Sequence, residues 1–137
     1  MQKTLAIIKP DAVQANHIGG IISMIEEAGF RILAMRFDRL SRREAEGFYA
    51  VHKERPFFAE LVNFMTEGPV VLMALEREDA VAKWREVMGA TDPAKAAEGT
   101  VRKKYGTSIG RNAAHGSDSP ENGIIETAWF FRASELA

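Results

Sequence analysis

A run of six apolar residues, VVLMAL at 70–75, constrains the fold of this chain more than any other segment. The turn-forming tripeptide at 67–69 precedes it directly. Because the run has no polar residue to face solvent, it is typical of a strand that is buried on both sides. The sequence therefore predicts a sheet whose faces are covered by helices.

Strand and helix patterns alternate along the rest of the chain. Further strands are predicted at 4–9, where TLAIIK stops at Pro10, and at 30–40, where apolar and polar residues alternate. Apolar residues recur with helical spacing in several other segments. These segments are 18–28, 45–49, 58–65, 81–88 and 120–131.

Local signals indicate where these helices begin and end. Ser41 and Glu44 match a capping box, and Gly29 lies where a left-handed C-terminal cap belongs. Ser119 followed by Pro120 predicts the start of the last helix. We expect that helix to turn a set of apolar side chains toward the core: Ile124, Ile125, Ala128 and Phe131.

The segment 90–114 has little apolar periodicity, apart from a one-turn helix predicted at 100–105. Long irregular segments inside compact domains are usually functional. The order of elements predicts a single α+β domain over 1–137, in which helices cover a mainly antiparallel sheet. With a fourth, short strand near 110–115, the arrangement becomes a ferredoxin-like βαββαβ sandwich with a four-stranded antiparallel sheet.

The composition is ordinary for a globular domain, with 46% apolar and 27% charged residues. The net charge of −1 provides no overall attraction for nucleic acid. No apolar stretch approaches the roughly 20 residues that span a bilayer. Cysteine is absent, which excludes disulfides and thiolate metal sites. These features predict a cytoplasmic protein.

His115 is the one histidine of three that lies among polar and turn-forming residues, in NAAHGSD at 112–118. A neutral imidazole keeps a lone pair and can accept a phosphoryl group at neutral pH. Gly116 is expected to let a substrate approach closely, and Ser117 and Asp118 can fix the turn. The same residues also suit a plain helix start with a surface histidine, so the motif alone leaves both interpretations open.

Together with the opening IIKPDAV at 7–13, the pattern NxxHGSD resembles the nucleoside diphosphate kinase family. The resemblance continues almost end to end through RPFF at 55–58, GPVV at 68–71, MGATDP at 88–93 and GTVR at 99–102. It implies the ferredoxin-like fold. It also implies a ping-pong transfer of the γ-phosphoryl group from a nucleoside triphosphate to a nucleoside diphosphate, through a phosphohistidine.

The resemblance implies roles for the residues around the histidine. His115 matches the nucleophile, which carries the phosphoryl group on its pros nitrogen. Glu126 matches the carboxylate that orients the imidazole, although without the resemblance a solvated helix glutamate would be the preferred interpretation. Tyr49 and Ser117 match residues that pack around the histidine.

Phosphate contacts are implied for four further side chains. Arg85 and Arg102 match two phosphate-binding arginines, whose forked guanidinium suits phosphate oxygens. Thr91 matches a hydroxyl that contacts the same phosphates, and Lys9 matches a lysine near the ribose and the transferred phosphate. Without the resemblance, Lys9 would simply close a strand and Arg85 would be an exposed helix arginine.

Sugar and base contacts are implied for Asn112, which matches the residue that bonds the 3′-hydroxyl, and for Phe57, on which the base would stack. Asn112 before a turn has an equally good structural role. Of the neighbours Phe57 and Phe58, one should pack in the core and the other at the mouth of the cleft. Stacking does not read the hydrogen-bonding edges of a base, which implies broad tolerance of bases and sugars.

Mg²⁺ is expected to arrive with the nucleotide phosphates, because the sequence has neither a metal-ligand cluster nor a GxxxxGK[ST] loop. The resemblance also implies a homo-oligomer. A tetramer is slightly favoured over a hexamer, because the last predicted helix is followed by no long C-terminal arm.

Two stretches depart from the family pattern. Lys103 and Lys104 follow Arg102 where an acidic residue is more usual. These lysines either attract nucleotides at low salt or face solvent, and we expect them to face solvent. The segment 14–17 lacks a basic residue that some relatives have, which concerns subunit contacts and not the chemistry.

Two other classes of function are weighed against the kinase. A nucleic-acid-binding module on the same fold would show exposed aromatic residues on its sheet, and the strands at 4–9 and 70–75 have none. A histidine-phosphotransfer signalling protein would use His115 but would leave Arg85 and Arg102 without a nucleotide to bind. Both alternatives rank below the kinase.

Overall fold

The sheet of the computed structural model, which describes residues 1–137, has four antiparallel strands in the order β2-β3-β1-β4. The strands are β1 Gln2–Ile8, β2 Arg31–Asp38, β3 Val70–Arg77 and β4 Ala114–Gly116. The helices are α1 Pro10–Gln14, α2 Ile18–Glu27, α3 Arg42–Phe48, α4 Phe58–Met65, α5 Ala80–Met88, α6 Val101–Tyr105 and α7 Pro120–Phe130. Short 3₁₀ turns occur at Ala50–His52, Pro93–Lys95 and Ala133–Glu135. The predicted ferredoxin-like α+β sandwich is confirmed.

The two central strands, β1 and β3, separate two apolar cores. Every residue of 70–75 is buried, as the apolar run predicted. Ala6 and Ile8 of β1 pack in a core with α2 and α5, whereas Leu5 and Ile7 pack on the opposite face with α3, α4 and α7. None of the helices combines the length and the apolar character that a membrane crossing requires.

Strand β2 lies at one edge of the sheet and pairs only with β3. Its pairing is irregular between Ile32 and Ala34. Met35 and Phe37 are 54% and 63% exposed, so this edge presents large apolar side chains to its surroundings.

The local signals for helix ends are confirmed. Ser41 Oγ accepts a hydrogen bond from the Glu44 N–H at 3.0 Å, and Glu44 Oε1 accepts one from the Ser41 N–H at 2.9 Å. Gly29 has φ of 85°, the left-handed conformation expected of a C-terminal cap. Ser119 caps α7, and Thr100 caps the predicted one-turn helix, which is α6.

Two features near the ends of strands differ from the prediction. Pro10 and Asp11 were expected only to end a strand, but they begin α1, with the proline at a position where a helix needs no N–H donor. Strand β4 begins later than expected. A turn closed by the Thr107 N–H and the Arg111 carbonyl oxygen, 2.8 Å apart, comes just before it.

The prediction of which residues of α7 face the core is wrong. Ile124 and Ile125 are 66% and 62% exposed, and Ala128 is exposed as well. Phe131 is buried, but it lies one residue beyond the end of the helix.

The residues that α7 does bury are Gly123, Thr127 and Phe130. The backbone of α7 lies so close to β1 that a Cβ atom on Gly123 would be 2.1 Å from the carbonyl oxygen of Lys3. Only a glycine allows this approach, and it sets the rotation of the helix about its axis. The rotation also turns Glu126 toward β4.

Candidate active site

His115 occupies the middle of β4, where it pairs with Ile7 of β1. Its side chain is 16% exposed and lies on the α3 and α7 side of the sheet. The rings of Phe48 and Tyr49 meet the imidazole edge to face, with centroids 5.5 and 6.4 Å away. Because aromatic rings flank it and a sheet strand carries it, the imidazole has a fixed position and direction.

A chain of hydrogen bonds determines which imidazole nitrogen carries the proton. The Leu5 N–H donates to Ser117 Oγ at 3.1 Å, so the Ser117 hydroxyl donates onward to Glu126 Oε1 at 2.8 Å. His115 Nε2 lies 2.9 Å from the same carboxylate oxygen. An ionised carboxylate only accepts hydrogen bonds, so Nε2 is the donor and Nδ1 of the neutral ring keeps its lone pair.

The backbone just before His115 is strained. Ala113 is fully buried with φ of 74°, and the Ala114 N–H donates to the Asn112 carbonyl oxygen at 2.9 Å, which makes a γ-turn. Asp11 Oδ2 accepts the Ala113 N–H at 3.1 Å. Strained residues of this kind persist only where their surroundings hold them, and here α1 supplies the carboxylate.

Lys9, at the junction of β1 and α1, contacts the same loop. Its Nζ donates to Asn112 Oδ1 at 2.9 Å, and the Asn112 amide donates to the Thr91 carbonyl oxygen at 3.2 Å. Burial and the positive charge of Arg102 lower the pKa of Lys9 to about 8, while Asp11 opposes the shift. Lys9 is therefore a cation that loses its proton far more readily than an exposed lysine.

Arg102 and Arg85 face one cleft of about 450 Å³, which Thr91 also lines. Arg102 donates to the Gly89 carbonyl oxygen at 3.1 Å and to the Ala114 carbonyl oxygen at 2.9 Å, and its Nε has no partner. Burial and the nearby Arg85 lower the pKa of Arg102. Two guanidinium groups that repel each other favour an anion between them.

Tyr49, the residue at the C-terminal end of α3, is buried, and its hydroxyl has no hydrogen-bond partner within the chain. Burial raises the pKa of the Tyr49 phenol, and the negative charge of Glu126 raises it further. The phenol therefore stays protonated and keeps a hydrogen-bond donor beside the imidazole.

Phe57 is the one predicted site residue that no described contact joins to the others. It precedes α4, is 44% exposed, and packs against His52 with ring centroids 5.4 Å apart. Phe58 packs against the core, as expected for one of the two neighbours, whereas the place of Phe57 at the mouth of the cleft stays a prediction. The other nine predicted residues are linked by direct contacts or by the shared cleft.

The structure adds residues that the sequence patterns missed, chiefly Asp11 and Trp84. The Trp84 indole donates to the carbonyl oxygen of His115 at 3.0 Å. Gly116 has a role in packing that was not expected: a Cβ atom there would lie 2.5 Å from Trp84 and 2.6 Å from Met88. The glycine makes room for the core, and the close approach of a substrate to it stays a prediction. Asp11 lies within the IIKPDAV segment, whereas Trp84 carried only a core signal.

No group of three or more acidic or histidine side chains is placed to hold a metal ion. A larger cavity, about 690 Å³, runs along α7 and the C-terminal turn and contains none of the predicted site residues. The chemistry therefore points to the smaller cleft between Arg85 and Arg102.

Lys103 and Lys104 are exposed, as expected of residues that face solvent.

The chain is similar to proteins of one family over its whole length. The family model for nucleoside diphosphate kinase matches residues 2–136. The nucleoside diphosphate kinase of Chlamydia felis (strain Fe/C-56) is 60% identical, with 99% of this chain and 96% of that protein aligned. That of Methylobacterium radiotolerans is 58% identical over 99% and 97% of the two chains.

Solved structures agree with the sequence comparison. The Aquifex aeolicus nucleoside diphosphate kinase superposes with a TM-score of 0.96 at 43% identity, covering 99% of both chains. A halophilic nucleoside diphosphate kinase from Halobacterium salinarum, solved in complex with CDP, gives 0.94 at 40% identity, covering 99% of this chain and 91% of that one. The chain therefore belongs to the nucleoside diphosphate kinase family of phosphotransferases.

Proposed function

We propose that this chain transfers the γ-phosphoryl group of a nucleoside triphosphate to a nucleoside diphosphate by way of His115 Nδ1. The observation that carries the proposal is the contact between His115 Nε2 and Glu126 Oε1 at 2.9 Å. That contact leaves the lone pair of Nδ1, the pros nitrogen, available for attack on phosphorus.

Each half-reaction is a single displacement at phosphorus. The Nδ1 lone pair forms a bond to the γ-phosphorus while the bond to the bridging oxygen breaks, and the nucleoside diphosphate leaves with that electron pair. The imidazole becomes cationic, and Glu126 stabilises it through the proton on Nε2. A terminal oxygen of the second nucleoside diphosphate then attacks the phosphorus, and the N–P bond electrons return to Nδ1.

Charge that spreads over the transferred phosphoryl group needs cations around it. Arg85, Arg102 and Lys9 are suited to this role, and the Thr91 hydroxyl can add a neutral hydrogen bond. Arg102 is held by two backbone carbonyl oxygens, which reduces the entropy lost when it binds phosphate. The Tyr49 hydroxyl is a further donor toward the histidine.

Asn112 and Lys9 are proposed to bind the sugar hydroxyl, because their mutual contact lies beside the γ-turn that precedes His115. Phe57 is proposed to stack on the base. Stacking on a half-exposed ring does not read the hydrogen-bonding edges of a base, so it suits purines and pyrimidines alike and supports broad base and sugar tolerance. The CDP bound by the Halobacterium salinarum relative is consistent with that tolerance.

Kinases of this family need a divalent cation, and we propose Mg²⁺. The cleft is lined by two arginines, two threonines and a single carboxylate, Glu86, so its cationic side chains fit the phosphates, and no cluster of carboxylates is present to hold the metal. Mg²⁺ would arrive with the nucleotide phosphates and would neutralise developing charge there. The role of the chain is to hold and orient the phosphate oxygens that the ion leaves free.

The two alternative functions are not favoured. A nucleic-acid module has no use for a histidine that is oriented by a carboxylate. A phosphotransfer signalling protein has no use for a cleft lined by Arg85, Thr91 and Arg102.

We further propose a cytoplasmic homo-oligomer, with a tetramer favoured. Exposed apolar residues on β2 and α7 support assembly, and sedimentation velocity tests it.

The direct test is the intact mass of the protein after brief mixing with ATP and Mg²⁺. We expect the wild type to gain one phosphoryl group, to lose it on addition of GDP, and to release GTP. His115→Ala should gain nothing, and His17→Ala, which changes another half-buried histidine, should behave as wild type. A wild type that gains no mass, or a His115→Ala variant that gains as much, would contradict the proposal.

A second measurement identifies the nitrogen. Imidazole ¹⁵N shifts of the phosphorylated protein should assign phosphorus to Nδ1. Phosphorylation at Nε2 would contradict the orientation that Glu126 imposes, even if His115 is the carrier.

A further inference from the structure

Trp84 is a fully buried residue in the middle of α5, on the face of the sheet opposite the His115 side chain. Its indole N–H donates to the carbonyl oxygen of His115 at 3.0 Å. A buried indole needs an acceptor, and the acceptor here is the peptide that carries the proposed nucleophile. The contact joins residues 31 positions apart in the chain.

The indole has little freedom to move. Its ring lies against Gly116 so closely that a Cβ atom on that residue would be 2.5 Å from Trp84 Cδ1. On another side, Phe30 meets the indole at a near-perpendicular 86°, with ring centroids 6.2 Å apart. The hydrogen bond to His115 is therefore made by a group that is locked by packing.

Two successive carbonyl oxygens of β4 are held by side chains from different helices. Arg102 of α6 donates to the Ala114 oxygen at 2.9 Å, and Trp84 of α5 donates to the His115 oxygen. Arg85, the next residue of α5, lines the phosphate cleft. Trp84 thus ties the helix of one phosphate-binding arginine to the strand of the nucleophile.

We propose that Trp84 is a positioning residue for phosphoryl transfer, holding the His115 peptide at a fixed distance from the arginine cleft through its indole N–H. The inference rests on the proposed role of His115. In-line attack needs the reacting atoms at near-contact distance, and a displacement of about 1 Å can cost about 100-fold in rate. Trp84 touches neither nucleotide nor phosphate in this scheme.

The test compares Trp84→Phe with Phe30→Leu. Trp84→Phe keeps an aromatic ring on α5 but removes the N–H donor. Phe30→Leu loosens the same packing but keeps the donor. Rapid-quench measurement of phosphohistidine formation should give a rate at least 10-fold lower for Trp84→Phe, with KM for ATP within 2-fold of wild type. Phe30→Leu should stay within 3-fold in rate.

Thermal denaturation of both variants separates stability from positioning. Equal rates for the two variants at similar melting temperatures would overturn the proposal and leave Trp84 as a core residue only. A raised KM for ATP with an unchanged rate of phosphohistidine formation in Trp84→Phe would overturn it as well.

A measurement that leaves Trp84 in place covers the case in which Trp84→Phe does not fold. The chain has two tryptophans, so in Trp129→Phe, which alters an exposed residue, the only tryptophan emission comes from Trp84. After phosphorylation and removal of nucleotide, we expect the Trp84 emission to change in proportion to the mass gained. A mass gain without any change in emission would overturn the positioning role. The absence of a mass gain would overturn the role of His115 instead.

Discussion

His115 Nε2 lies 2.9 Å from Glu126 Oε1, and this pair ends a hydrogen-bond chain that begins at the backbone of β1. Ser117 is the link, since its hydroxyl accepts from the Leu5 N–H and donates to Glu126. The imidazole of His115, the proposed nucleophile, is thereby oriented by the centre of the sheet as well as by α7. An isolated histidine on a loop would have no such support.

Replacing Glu126 with glutamine should slow phosphorylation of His115. The amide cannot stabilise the imidazolium as a carboxylate does, and orienting partners of this kind typically contribute about 10–100-fold. We expect that loss in kcat, with KM for ATP little changed, from steady-state kinetics. Glu121→Gln, an exposed glutamate on the same helix, should keep wild-type activity. Wild-type kcat in Glu126→Gln would show that the contact has no role in catalysis.

The pH profile should report the titration of Lys9. Because the pKa of Lys9 in the free protein is about 8, the residue loses its positive charge as the pH rises through that value. A neutral amine attracts phosphate less, so kcat/KM should fall with an inflection near pH 8. An ordinary lysine would delay the fall until about pH 10.5.

Two variants assign that inflection. Lys9→Arg stays charged over the whole range, so its profile should lose the inflection. Asp11 raises the pKa of Lys9, so Asp11→Asn should move the inflection to lower pH. A profile that stays level to pH 9.5 in the wild type would exclude Lys9 as the titrating group.

Replacing Phe57 with alanine should weaken the binding of every nucleotide by a similar factor. Base stacking contributes about 1–3 kcal/mol, which corresponds to about 5- to 150-fold in affinity, and the half-exposed ring argues for the lower end. Titration with ADP, GDP, CDP and UDP measures the effect. Val51→Ala changes a side chain that is 85% exposed and serves as the control. Equal affinities in wild type and Phe57→Ala would remove Phe57 from the site.

Adding a methyl group at Gly123 should destabilise the fold. The new Cβ would meet the Lys3 carbonyl oxygen at 2.1 Å, and backbone cannot yield as a flexible side chain can. Overpacking of this kind costs about 1–3 kcal/mol, measurable by urea denaturation. In contrast, Gly19→Ala has open space around its Cβ and should be neutral or slightly stabilising. A wild-type midpoint for Gly123→Ala would mean that α7 does not rest on β1 as described.

Much of the fold could be predicted because its signals are local. The apolar run at 70–75 identifies a central strand, and the Ser41 and Ser119 caps act within three residues of themselves. The ferredoxin-like arrangement also follows from the succession of strands and helices once the fourth strand is included. Short β4 was misplaced because its three residues carry too little pattern.

The site was predicted from resemblance, and its contacts depend on the fold. Asp11 reaches Ala113 from 102 positions away, and Trp84 reaches His115 from 31. No sequence pattern around either residue indicates its partner, since an aspartate after a proline and a tryptophan in a helix are both common in proteins. Lys9 likewise acquires its low pKa only from burial beside Arg102.

Helix α7 shows which features arise from local sequence and which arise from long-range packing. Local sequence is enough to begin a helix after Ser119, because the cap and the proline act on adjacent backbone. Apolar Ile124 and Ile125 indicated the wrong inner face. The closest approach to β1 decided the rotation instead, since only Gly123 allows backbone to meet backbone. That long-range contact, which no local pattern encodes, is what brings Glu126 to His115.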